Sequence, residues 1–171
     1  LATILSDSEA EVDAWSNNTK PFGVKILLYN SNNPAIVYTT DCLKADTTFN
    51  LNTNDYFAQA VRSGKLSVSF GKNDVTGHTR IYLTSDMRMK SPYKIGLEYQ
   101  ADEEIDLRVW ECSQASSFQS YGMKGFTDGS DKCSISDMAT GHYTISVGSC
   151  VNRNFHTTCY GDKVRDTYAA I

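Results

Sequence analysis

Basic residues are in the minority in this chain: 16 Lys and Arg stand against 20 Asp and Glu, for a net charge of −4. That sign opposes the phosphate attraction that supplies most non-specific nucleic-acid affinity, so nucleic acid is not an expected partner. Long apolar runs are missing too. A helix crossing a bilayer needs about 20 consecutive apolar residues, whereas the longest run here, Val24 to Tyr29, is broken by Lys25. No membrane span is expected. Three prolines and eleven glycines in 171 residues exclude collagen-like and low-complexity polymers. Cysteine is sparse: Cys42, Cys112, Cys133, Cys150 and Cys159 fall far below the density of small disulfide scaffolds, and five thiols cannot all pair. They read as buried or partly buried small hydrophobes, with one bridge between the late ones left open. Leu1 is not an initiator, no charged and apolar leader follows it, and Tyr168-Ala169-Ala170-Ile171 is no obvious stop. The expectation is a piece cut from something longer.

What the chain does have is 40% hydrophobic residues, enough for one compact core. Apolar residues recur every second position and nowhere hold a long helical stripe, which sets the class as β. Glu9 to Ser16 places Ala10, Val12 and Ala14 against Glu11, Asp13 and Trp15. Val24, Ile26 and Leu28 repeat the pattern. Asn30-Ser31-Asn32-Asn33-Pro34 then makes a turn, and Ala35 to Thr40 returns as the second arm of a hairpin. Further strands are expected at Thr47 to Leu51, Lys65 to Phe70, His78 to Leu83, Tyr93 to Tyr99 and Glu104 to Glu111. In the last of these Ile105, Leu107 and Val109 alternate with Glu104, Asp106 and Arg108, and Trp110 closes the wet face.

Short strands at this turn density describe an antiparallel β-sandwich of the jelly-roll kind. Asp55 to Arg62 is a helical turn with Tyr56, Phe57, Ala60 and Val61 on one face, or alternatively an edge strand. Past Glu111 the composition changes. Cys112 to Lys132 reads as a long loop or linker, Thr144 to Gly148 as a short strand, and Asn152 to Asp166 as a polar, featureless tail. The division expected is a sandwich over 1–128 and a flanking segment over 129–171, which contributes a short strand from a larger α/β fold.

Chemistry is harder to find than fold. His78 and His142 each follow a Thr-Gly pair and His156 lies in the polar tail, with no Gly-x-Ser-x-Gly elbow nearby. All three read as turn or surface residues. Ser91-Pro92-Tyr93-Lys94 matches Ser-x-x-Lys, but proline and the strand pattern deny the helix that would bring the pair together. Cys133, His142, Cys150, His156 and Cys159 offer zinc-ligand types at spacing too irregular for a knuckle. Asp and Asn gather at Asn52 to Asp55, Asn73-Asp74 and Asp128 to Asp131, where turn geometry explains them as well as calcium does. No catalytic residue, metal or cofactor is therefore assigned. Trp110 and Trp15 are the candidates for a flat platform that stacks sugar rings, against the ordinary use of aromatics as sandwich filling. Asn17-Asn18-Thr19 is a glycosylation triplet and a weak pointer to export.

The stretch from Thr127 to Ser149 resembles subtilisin-like serine proteases. Ile135, Ser136, Ala139 and Thr140 match that family's Ile-Ser-x-Pro-Ala-Thr-Ala stretch, and Ile145, Val147 and Gly148 match the strand that follows it. Met138 replaces the usual proline and Gly141 the alanine. Some bacterial members carry a jelly-roll domain inserted just before this strand, which is the order seen here. The resemblance implies a non-catalytic insert of a secreted, periplasmic or cell-surface endopeptidase, bracing the catalytic domain or modulating substrate access. Its partner would be the remainder of the parent protease. The family's Asp-Thr-Gly, His-Gly-Thr and Gly-Thr-Ser-Met-Ala segments are absent, so no triad residue carries over. A second expectation is a carbohydrate- or protein-binding sandwich with a glycan or peptide ligand, and a third is an adhesin or surface-layer module.

Overall fold

A computed structural model describes residues 1–49, 55–113 and 115–130, together with 155–157 and 163–165. The chain falls into two compact units, Leu1–Asp131 and Lys132–Ile171. In the second, β13 (Phe155–Thr157) pairs antiparallel with β14 (Lys163–Arg165), so the tail read as featureless contains a strand pair. The strand expected at Thr144 to Gly148 lies outside the described residues.

The first unit is an all-β antiparallel sandwich. Its strands are β1 (Ala2–Leu5), β2 (Glu9–Ser16), β3 (Phe22–Asn30), β4 (Ala35–Thr39), β5 (Thr47–Phe49), β6 (Val61–Ser63), β7 (Leu66–Lys72), β8 (Thr79–Asp86), β9 (Arg88–Met89), β10 (Tyr93–Ala101), β11 (Leu107–Glu111) and β12 (Phe118–Gln119), with α1 (Asp55–Ala60) before β6. Sheet I runs β12-β1-β10-β3-β4 and sheet II runs β11-β2-β8-β7-β5. Strands that follow one another pair within both sheets, β3 with β4 in sheet I and β7 with β5 and β8 in sheet II, while the remaining connections cross from one sheet to the other. Alternation along the sequence could give the strands but not this order.

The period of two explains the core. In β2, Ala10, Val12 and Ala14 point inward and are at most 4% exposed. From the facing sheet come Phe22, Val24, Ile26, Ile95, Leu97 and Tyr99, while Leu66, Val68, Ile81 and Leu83 join from β7 and β8. Burying each of the larger of these side chains, the valines, leucines, isoleucines and Phe22, contributes roughly 1.5–3 kcal/mol.

Three expectations change in the structure. Tyr56 does not share the buried face of α1: Phe57 and Ala60, three positions apart, enter the core, whereas Tyr56 is 57% exposed and stacks on Tyr38 at 5.0 Å. The helix stops because Val61 pairs with Met89, and Lys90 Nζ donates to the Gln59 carbonyl at its end. The second change concerns β3, which is buried on both faces rather than one. The third bears on the second: residues 117–130 are mostly loop, one of the two expectations, but they are tied down as a strap over sheet I rather than left as a linker. β12 pairs with β1, the Thr127 N–H donates to the Ala2 carbonyl at 2.9 Å, and the Tyr121 ring stacks on Tyr29 at 5.4 Å.

Gly64 joins β6 to β7 with φ at +91°, and a Cβ there would run into the Asp86 carbonyl. Gly64→Ala is expected to cost roughly 2 kcal/mol or more, combining a left-handed backbone with overlap onto main chain. Urea unfolding of both proteins measures it; an unchanged midpoint would mean that β6 and β8 do not approach this closely in solution.

Candidate functional site

Residues opposite the core in sheet II make up its outer face. On β2 these are Glu11, Asp13 and Trp15, on β8 Arg80 and Tyr82, and on β11 Arg108 and Trp110. Register brings them into two rows. Arg108 lies opposite Trp15 and Trp15 opposite Arg80; one step along, Trp110 lies opposite Asp13 and Asp13 opposite Tyr82. Each aromatic ring therefore has a charged neighbour across the strand pair. Three strands and two rows span about 10 Å by about 7 Å.

Arg80 organises the patch. Its Nε and Nη2 donate to the two Asp13 carboxylate oxygens at 2.7 and 2.9 Å, the bidentate fork that gives Arg its directional strength. The same guanidinium lies 5.2 Å from the Trp15 ring centroid and 4.8 Å from that of Tyr82. Such contacts are worth about 0.5–1 kcal/mol each at exposed sites. Behind them, the Glu111 carboxylate accepts from the Glu11 N–H at 3.3 Å and the Ser113 N–H at 3.1 Å, while Cys112 N–H donates to the Glu11 carbonyl at 2.7 Å. The end of β11 is thus tied to β2 beneath Trp110.

Trp15 and Trp110, the platform candidates, are thus brought onto one face, both half-buried. Arg80 and Tyr82 carry no motif that marks them, although the order Arg80-Ile81-Tyr82-Leu83 already puts them opposite two core residues. His78 sits in the turn before β8, its N–H donating to Thr76 Oγ1 and its carbonyl accepting from Asn73. Asn73 Oδ1 accepts from the Val75 and Thr76 N–H groups, a turn role rather than an ion site. Asp128 likewise accepts from the Ser120 N–H. Lys94 Nζ donates to the Ser6 carbonyl at 2.6 Å. Asn17, of the glycosylation triplet, lies in the turn after β2. Cys133, His142, Cys150 and Cys159 lie outside the described residues, as does the side chain of His156. Among the described residues no group of three or more His, Cys, Asp or Glu is placed to hold a metal ion, and no helix is long and apolar enough to cross a membrane.

A cleft of about 280 Å³ opens at the end of the sandwich where β3 and β8 begin. Phe22 and Phe70 line it from the two sheets, with Cys42, Lys44, Arg80 and Asp102 around them. Lys44 Nζ stands 3.8 Å from Asp102 Oδ2. Cys42 covers Gly23, where a Cβ would collide with its Sγ.

No family model, curated protein or solved structure matches this chain.

The Tyr82 hydroxyl donates to a Glu11 carboxylate oxygen. That hydrogen bond, then burial and the Glu11 charge, pushes the phenol from 10.0 up to about 12. A raised value means that the fold holds the protonated phenol. Its contribution to stability is therefore complete below 10.0 and lost as pH climbs through about 12. Tyrosinate absorbance of wild type minus Tyr82→Phe should show one phenol titrating about two units late. A difference curve centred at the ordinary tyrosine value would refute the bond.

Proposed function

We propose that the first unit is a saccharide-recognition module whose ligand seats on the outer face of sheet II. The observation that carries this reading is the paired rows of aromatic and charged side chains held rigid by the Arg80–Asp13 fork. A pyranose ring presents a C–H face that packs on aromatic rings and a rim of hydroxyls that bond to fixed carboxylates and guanidinium groups. Trp15, Tyr82 and Trp110 supply the first, and Glu11, Asp13, Arg80 and Arg108 the second.

Size and composition favour a sugar over a protein. A stable protein interface buries on the order of 800 Å² per partner around an apolar centre. The patch covers a small part of that. Its flanking outward positions are Glu9, Thr84 and Asp86 on one side and Ser67, Ser69 and Thr48 on the other, with no aliphatic side chain among the described residues of this face.

Trp15 and Trp110 are the two tryptophans of the chain, so indole emission reports on this face. Titration with neutral and acidic oligosaccharides should give a saturable change in emission. Trp15→Ala and Tyr82→Ala should each weaken binding about tenfold or more, as loss of a central aromatic contact does. Arg80→Lys, which keeps the charge but not the fork, should weaken it as well. A flat response across a broad glycan panel would overturn the reading.

The protease-insert reading is second. It is favoured by the division of the chain at Asp131–Lys132, a few residues past Thr127, where the subtilisin-like stretch begins. Most of that stretch lies outside the described residues. On this reading residues 132–171 need the rest of a parent domain. Limited proteolysis with intact-mass detection should then remove them and leave the sandwich whole. A tail as resistant as the sandwich counts against it.

A further inference from the structure

We propose that the end cleft is a second ligand site, taking a small apolar body that carries one carboxylate. This does not rest on the saccharide reading: Arg80 borders both places, but the walls of the cleft are Phe22 and Phe70 at the ends of the sheets, not the aromatic rows of the outer face. Its volume of about 280 Å³ falls at the small end of ligand sites, which limits the body to one or two fused rings or a short acyl chain. Phe22 and Phe70 give that body apolar walls from opposite sheets.

The charge of the ligand is set by the bonds each cation already makes. Arg80 is committed to Asp13 through two short hydrogen bonds. Lys44 instead meets Asp102 at 3.8 Å, with side-chain exposures of 68% and 92%. An ion pair so long and so wet is worth little, and a ligand carboxylate entering the cleft replaces Asp102 at small cost. Asp102, pointing almost wholly into solvent, can turn away once Lys44 is engaged. The site therefore selects an anion at its mouth and an apolar group at its floor.

Cys42 lines the cleft and supplies the measurement. The full chain is treated with iodoacetamide, a neutral reagent, and the alkylation of each cysteine is followed by peptide mass spectrometry. Cys112, exposed and outside the cleft, is the internal control. Naphthoate should slow alkylation of Cys42 saturably and leave Cys112 unchanged. Naphthylmethanol, the same body without the charge, should bind about fivefold more weakly, the scale of one exposed ion pair. Lys44→Ala, a surface change, should erase that difference. The thermal midpoint is the second readout: naphthoate should raise it in wild type and raise it less in Lys44→Ala. The proposal is overturned by naphthoate moving neither readout, by naphthylmethylamine protecting Cys42 better than naphthoate, or by a carboxylate preference that survives Lys44→Ala. Because the readout is Cys42 and not indole emission, its failure is separable from failure of the saccharide face.

Discussion

The two-residue period of the strand is the constraint on which the rest depends. A strand between two sheets must send alternate side chains into the core, and β2 shows the consequence: Ala10, Val12 and Ala14 go in, so Glu11, Asp13 and Trp15 must come out. The same holds for β8, where Ile81 and Leu83 fix the direction of Arg80 and Tyr82. Packing the core and building the outer face are therefore one event. A one-residue slip between β2 and β8 would turn the outward set of the slipping strand inward, Asp13 if β2 moves or Arg80 if β8 does. Burying charges costs several kcal/mol each, more than any contact on the face returns. The chemistry of the patch is thus protected by the hydrophobic register and needs no separate means of holding its strands.

That coupling also explains how much could be read from the sequence. β2 ends where its alternation ends, and the β3–β4 hairpin follows from Asn30 to Pro34, because both are local signals. Local signals fail where burial comes from far away. Tyr29, on the side of β3 away from the sandwich core, looks like a solvent-facing position until the strap carrying Tyr121 covers it. β1 is only four residues long, and its partners β10 and β12 come from late in the chain. The site divides in the same way. Trp15 and Trp110 are recognisable as outward aromatics on separate strands. That they share a face depends on β11 pairing with β2, and the role of Arg80 depends on β8 pairing with β2 from the other side. No property of residue 80 in its own neighbourhood reveals that an aspartate and two rings await it.

Arg80 carries the last step. A free arginine side chain carries about 2 kcal/mol of rotamer entropy, lost whenever it is fixed by a ligand. Here Asp13, Trp15 and Tyr82 fix the guanidinium before any ligand arrives, so that entropy is lost on folding rather than on binding. The pair is bidentate and the Asp13 side chain is only 13% exposed, so it stabilises the fold as well as fixing the guanidinium. On the proposed saccharide reading, the same arrangement is also preorganisation: a donor array held in place between two aromatic rings, with its charge balanced by Asp13. The same balance distinguishes Arg80 from Lys44, whose contact with Asp102 is longer, at 3.8 Å, and more exposed.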